Sequence, residues 1–443
     1  MSFNLSESSD FKIKFLAIQD GNETYDIAMV FDELNIFENM FMPCMSGNIL
    51  IRDTNNIAAA IDLLQSKLII EIEKSNDNPD LFNFKKTFVI WKIADKVNVN
   101  MGTQMYTLHF VSEEWVKSEQ KINNFSYKGL YSQAINKILI DDLGIEASRI
   151  PFSKTVTTPG FVNTRGIHDI IIPEKHRKPF DAIDWLVKRS IPNSQNSNIP
   201  DCVFFESKDK FYFTSIGDLS QLEPVFPDGI FIRPKNLKDK TRSGTELLDA
   251  INHRILQPTN LAENIINGVY AGKFFGWDSL VRTQKTIKYD FYYFWNRSKH
   301  FNNYPIIPKK QEKDLITNFD SRVVFYPFAS ERRNVDYVKK ENNVDASIID
   351  NTEEYVLQRK MIIYNLTQRR VQLTMPGNFG LTVGSVVKLE FPNFIAGLKD
   401  DASMDESMSG KYVITAARHI VRHDRHETVI EISTDSTNSD KQI

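Results

Sequence analysis

Residues 28–53 read AMVFDELNIFENMFMPCMSGNILIRD, and the reading of this stretch decides the fold. Apolar side chains recur on alternate positions and are broken by Pro and Ser-Gly punctuation, the pattern of antiparallel strands joined by turns. A similar pattern returns near the other end. Residues 371–393 read VQLTMPGNFGLTVGSVVKLEFPN, followed by GKYVITAARHIV at 410–421. Some 240 residues of different character lie between the two strand-rich ends. Neither end carries a residue constellation that chemistry would need, which points to an architectural protein rather than an enzyme.

Composition is consistent with that direction. At 443 residues the chain is too long for one ordinary core, so two to four domains are expected. Hydrophobic residues make up 41% and charged residues 25%, which is globular usage and excludes wholesale disorder. A net charge of −3 gives no global electrostatic reason to hold a polyanion, so specific nucleic-acid binding is not expected. Cys44 and Cys202 stand far apart and in no zinc spacing, and read as free buried thiols of a protein made in a reducing cytoplasm. The N-terminus lacks the pattern of a signal peptide. No run approaches the length of a membrane-spanning helix, so membrane insertion is not expected.

Along residues 1–115, alternating runs at 11–18, 25–34, 47–53, 67–73, 86–99 and 105–112 predict an antiparallel barrel or sandwich with one buried face. Ile57, Ala60, Ile61 and Leu64 fall at helical spacing and predict one short helix within it. Residues 116–200 change to a mixed α/β domain. A helix from Tyr127 with Leu130, Ala134 and Ile138 on one stripe ends at Gly144, and a second begins at Pro179 with Phe180, Ile183, Leu186 and Val187 on one face. Residues 202–222 read as a hairpin too small to stand alone. It is expected to join 356–434, read as strands, in a second barrel. That gives a split domain of 201–222 and 356–435, with 223–355 as an inserted lobe and 436–443 as a tail. Helices are expected in the lobe near 245–254 and 261–270, and 335–355 reads as a polar connection. The predicted class is α+β, mainly β.

Candidate chemistry is sparse. His419, His423 and His426 offer three imidazoles within eight residues. Yet a strand, turn, strand pattern places Asp424 and Arg425 at a hairpin tip, which reads as a solvated hairpin rather than a metal site. Glu113 and Glu114 sit next to each other at a strand end, where they would face opposite sides. No phosphate loop, nucleophile elbow, H-E-x-x-H or C-x-x-C occurs, and Gly377-Asn-Phe-Gly reads as a tight turn. No catalytic, cofactor-binding or metal-binding residue is therefore expected. The aromatic clusters at 274–280 and 291–297 read as lobe core or, alternatively, as a sugar or protein contact.

The order of these pieces resembles the central baseplate hub protein of contractile bacteriophage tails, related to the N-terminal regions of type VI secretion spikes. The residues that carry the resemblance are 31–53, 106–114 leading into 125–139, 178–190 with 202–216, and 381–393 followed by 410–421. The resemblance implies two tail-tube-like barrels per chain and a homotrimer forming a pseudo-sixfold ring. That ring would adapt the sixfold tail tube to the threefold spike without catalysis. It implies tail tube protein, spike protein and other baseplate proteins as partners, a channel through which DNA passes unbound, and a place in the virion after assembly in the host bacterial cytoplasm. The Met-rich loop 38–47 is the candidate subunit or tube contact, through Met40, Phe41, Met42 and Met45, because Met side chains adapt to imperfectly matched surfaces. The rival readings are a cell-wall hydrolase and a carbohydrate- or receptor-binding tail component, each acting through 223–355.

Overall fold

The computed structural model describes residues 11–440 except 75–82, 101, 125, 233–247, 258–259, 279–281, 308–315, 328–351 and 393–403. The first strand-rich end forms β1 (Phe11–Asp20), β2 (Glu23–Asp26), β3 (Phe31–Asn39), β4 (Ser46–Asp53), β5 (Lys67–Lys74), β6 (Phe84–Asn100) and β7 (Thr103–Ser112). Its alternating residues bury one face, including Leu34, Ile36, Ile49, Ile51, Phe88, Ile90, Leu108 and Phe110. The expected helix after β4 is a single turn, Ile57–Ala60. Asp53 caps its start by accepting from the backbone N–H groups of Asn55, Ile57 and Ala58, and the chain turns extended at Ile61, which leaves Leu64 beyond the helix and exposed.

Next comes a helical body carrying β8 (Ser126–Gly129) and β9 (His168–Ile171). The helix Tyr131–Lys137 continues as a wider turn over Ile138–Asp142. It stops at Gly144, whose φ of 67° is the left-handed conformation that glycine adopts without strain. The helix Pro179–Arg189 starts on its proline and buries Phe180, Ile183, Leu186 and Val187, as its spacing predicts. The hairpin of β10 (Cys202–Ser207) and β11 (Lys210–Ser215) pairs only with itself among the described residues. It does not extend the second set of strands by hydrogen bonds. Instead it lies as a bracket, with Phe204, Phe211 and Phe213 against the helical body and Val203 and Phe205 against the second core.

The lobe adds β12 (Ile230–Ile232), β13 (Asp249–Ala250), β14 (Asn252–Gln257), β15 (Ala271–Asp278), β16 (Thr283–Asp290), β17 (Tyr304–Pro305) and β18 (Arg322–Pro327). Residues 249–257 are strands where a helix was expected, because β14 pairs with a later strand and that pairing overrides local helix preference. The helix Leu261–Asn267 forms as expected, whereas 335–351 lies outside the described residues. Residues 356–366 also depart from expectation. They belong to the helix Thr352–Leu366, which turns Leu357 and Met361, four positions apart, into a small aromatic core with Phe274, Tyr289 and Phe294.

The chain closes with β19 (Arg369–Pro376), β20 (Val386–Glu390), β21 (Gly410–Val421), β22 (His426–Thr434) and β23 (Ser436–Thr437). The two ends repeat one topology. In the first, the spatial order is β5-β6-β7-β4-β3, and in the second it is β20-β21-β22-β19-β14, the same permutation of five antiparallel strands taken in chain order, with β15–β18 intervening between β14 and β19 in the second. The register shift in β6 between Ile90 and Lys92 recurs in β21 between Ile414 and Ala416. The inward residues Gly47, Ile49 and Ile51 of β4 correspond to Val371, Leu373 and Met375 of β19. The architecture is α+β, mainly β, as predicted. The sheets do not close into barrels among the described pairings, because β3, which would close the first, pairs with β21 of the second and makes one continuous 14-stranded sheet.

Candidate functional site: the seam between the repeats and its loop

The seam is the antiparallel pairing of β3 with β21, running from Leu34 opposite Val421 to Asn39 opposite Ala416. Side chains cross it in both directions: Met40 enters the second core, while Phe379 and Val421 enter the first. Such mutual burial makes the two repeats one unit, since separating them would expose both apolar surfaces.

Two buried carboxylates lock the bracket hairpin to the seam. Glu38, 2% exposed, accepts from Ser207 Oγ at 3.0 Å and from the N–H groups of Lys208 at 3.1 Å and Val383 at 3.0 Å. Burial pushes its pKa up, and those donors hold it back. Glu206 accepts from the Met45 N–H at 2.8 Å, from Ser112 Oγ at 2.6 Å and from Lys86 Nζ. Burial pushes Glu206 up as well. Burial alone would lower the Lys86 pKa, but Glu206, Asp209 and Glu114 raise it and keep the ammonium charged. Arg149 completes the set by pairing with Glu114 and, at 2.9 Å, with Asp209. Glu114 therefore does not end a strand, as its sequence suggested. It opens the helix Glu113–Gln120, which begins where β7 stops.

The loop above the seam divides its Met residues. Met40 and Met45 are buried, Met40 in the second core and Met45 in the first, so they are not available to another molecule. Phe41 and Met42 are 45% and 57% exposed, presented by a turn in which Asn39 Oδ1 accepts the Phe41 N–H at 2.9 Å. Beside Met42 an open groove of about 470 Å³ runs over the seam, lined by Gln372, Thr374, Arg418 and Glu431 among others.

The three imidazoles have separate tasks. His423 Nε2 donates to the Phe31 carbonyl at 2.6 Å and fastens the hairpin turn to β3. His419 and His426, by contrast, are each 1% exposed and both pack against Phe379; His419 lies in β21, as its strand position predicts, whereas the expectation of a solvated hairpin fails at His426. Burial lowers the His419 pKa to about 3 and that of His426 well below its ordinary value, so both stay neutral. Among the described residues no group of three or more His, Cys, Asp or Glu is placed to hold a metal, and no helix is long and apolar enough to cross a membrane. In the lobe Trp277 is exposed, while Trp295 stacks on His300 with ring centroids 3.4 Å apart and serves the lobe's own packing.

Sequence reasoning missed Glu38, Lys86 and Glu206. Two of them left a signal. Glu38 continues the inward series Leu34, Ile36, Glu38, Met40, and Lys86 falls between Phe84 and Phe88 on the inward face. A charge at an inward position of a period-two strand implies a buried partner.

With this geometry in place, the fold is that of bacteriophage tail proteins. The tail protein from Neisseria meningitidis MC58 aligns with a TM-score of 0.52 over 95% of this chain and 96% of its own, at 11% identity. The 43 kDa tail protein of prophage MuSo2 from Shewanella oneidensis aligns with a TM-score of 0.51 over 96% and 99%, at 9% identity. In sequence the chain is 24% identical over 358 residues to the probable baseplate hub protein gp334 of Vibrio phage KVP40, covering 77% of this chain and 73% of that protein. No family model matches. The resemblance to baseplate hub proteins read from the sequence holds, in the likeness to this relative and in the fold.

Proposed function

We propose that this chain forms a homotrimeric hub whose six sheet repeats make a pseudo-sixfold ring, adapting the sixfold tail tube on one side to the threefold spike on the other. The observation that carries the reading is the repeated strand order with its shared register shift, which makes each chain two equivalent modules. Three such chains supply six modules while keeping threefold chemistry at every position that differs between repeats. The role is mechanical. The buried carboxylates at the seam are consumed in holding elements together, so no catalysis is assigned to them.

Tail tube protein, spike protein and other baseplate proteins are the partners of such a ring, and its place is the virion tail after assembly in the host cytoplasm. With a net charge of −3 on each chain, the ring lets DNA pass without holding it. Phe41 and Met42, the exposed half of the loop, are the proposed contact with tube or neighbouring subunit. Light scattering on the purified chain tests the reading. A mass of three chains that binds tube protein supports it, and a monomer at high micromolar concentration that binds neither tube nor spike protein refutes it.

A further inference from the structure

The lobe grips the end of the second repeat through residues 300–305. There β17 pairs with β23, and Asn302 reaches across: its Nδ2 donates to the carbonyls of Lys411 and Ser436, its Oδ1 accepts the Lys411 N–H at 2.8 Å, and its own N–H donates to Ser436 Oγ at 2.7 Å. None of these groups titrates near neutrality. His300, at the start of the grip, does. Its Nδ1 lies 2.7 Å from Asp435 Oδ2 and its Nε2 lies 2.8 Å from the Trp295 carbonyl oxygen. A carboxylate and a carbonyl only accept, so both contacts are hydrogen bonds only when both ring nitrogens carry protons. The ring that fits this place is the imidazolium. Trp295 favours the same state, because its indole lies flat on the imidazole with centroids 3.4 Å and planes 5° apart, and an aromatic face attracts a cation.

The entry to β10, the lobe, the helix Thr352–Leu366 and the end of β22 meet here around a cavity of about 30 Å³. Asp435 follows β22. Asp201, 1% exposed, precedes β10 and accepts the Gly217 N–H at 2.9 Å. Tyr289 of β16 is kept neutral by burial, and the helix contributes Ile362, Asn365 and Leu366, none of which titrates. Burial alone would lower the His300 pKa, but Asp435, the Trp295 carbonyl and Asp201 raise it. Burial alone would raise that of Asp435, but His300, Ser436 and the Phe301 N–H lower it and keep the carboxylate charged. Burial raises Asp201 to about 7, and Asp218 adds to the rise.

We propose that His300 is a proton-operated latch between the lobe and the second repeat: the imidazolium ties the turn at Trp295 to Asp435, and loss of one proton leaves an acceptor facing a lone pair and loosens the grip. Because the folded pKa is raised, the latch is fully made below about 6.5, the ordinary value, and is lost as pH rises through the raised one. Asp201 acts in a lower window, from about 3.9 to about 7.

Hydrogen exchange read by mass spectrometry on the full chain tests this between pH 6 and pH 9, with rates corrected for the intrinsic pH dependence of exchange. In peptides covering 294–305 and 432–438, opening of the parent should rise by up to about tenfold per pH unit relative to His300→Gln, which has no proton to lose. Peptides covering 179–190 should show no such difference. The comparison with His300→Gln removes the share of Asp201, which both chains keep. In Asp435→Asn the rise should level off at a lower pH, which tests the latch even where the glutamine variant does not fold. A parent and a His300→Gln variant with the same pH profile in both peptides, or an Asp435→Asn profile identical to the parent, overturns the latch.

Discussion

Replacing Lys86 with Ala should cost about 3–5 kcal/mol, because it removes the counter-charge in direct contact with the buried Glu206 and leaves only Arg149, at 3.6 Å. The Lys86 side chain is 2% exposed and that of Glu206 is 0% exposed, so water cannot take over the lost contact. Ser112 Oγ and the Met45 N–H remain on Glu206, which places the expectation at the lower end, about 3 kcal/mol. The sign of the pH dependence follows from burial. The folded pKa of Glu206 is already raised and rises further once the ammonium is gone, so the folded state binds more protons than the unfolded one between the ordinary value near about 4.3 and that raised value. Stability of the variant relative to the parent should therefore recover as pH falls through that window. The assay is hydrogen exchange read by mass spectrometry on peptides covering 45–53 and 202–215, with urea denaturation alongside. Protection should drop in both peptides together, and Glu206→Gln added to Lys86→Ala should restore part of it. Unchanged protection at pH 8 would refute the reasoning, since it would mean that the pair does not hold the bracket to the first repeat.

Three further outcomes are expected. His419 and His426 are held neutral by burial, so the unfolded state binds more protons than the folded one below about 6.5, and each histidine removes up to about 1.4 kcal/mol per pH unit as pH falls toward 3; a melting temperature that is flat between pH 7 and pH 5 would contradict this. Met40→Ala should cost about 2–5 kcal/mol in urea denaturation, whereas Phe41→Ser with Met42→Ser should leave stability within about 0.5 kcal/mol and weaken binding to tube protein or self-association. Gly377→Ala should destabilise by about 1–3 kcal/mol, because a Cβ there would enter the His426 ring in a core that has no room to give; equal denaturation midpoints for variant and parent would count against the packing described.

Much of the fold was legible in the sequence for a physical reason: period-two alternation and helix spacing are local. The strands at 11–18, 47–53, 67–73 and 410–421, the helix from Pro179 and the stop at Gly144 all follow from residues within one turn or one pleat of each other. The misread elements are those decided at long range. Residues 252–255, read as the end of a helix beginning near Thr245, become part of a strand because β19, more than 100 residues later, offers them an edge. Residues 356–366 look like a strand and become a helix because Leu357 and Met361 meet the lobe's aromatic core. The contact loop was half legible. Its apolar richness marked it, and the inward series of β3 runs on to Met40, but nothing local shows that Met45 would be claimed by a core while Phe41 and Met42 face out. The hairpin at 202–215 was recognised as unable to stand alone, but its actual supports, the buried carboxylates Glu38 and Glu206, lie in its long-range contacts.

Electron microscopy of the purified chain, viewed down its symmetry axis, tests the central claim most directly. A ring of six similar lobes alternating in two kinds, with three copies of the lobe 249–327 around it, is the predicted result. Isolated single chains, or a closed ring whose lobes are not twice the number of chains, would contradict it.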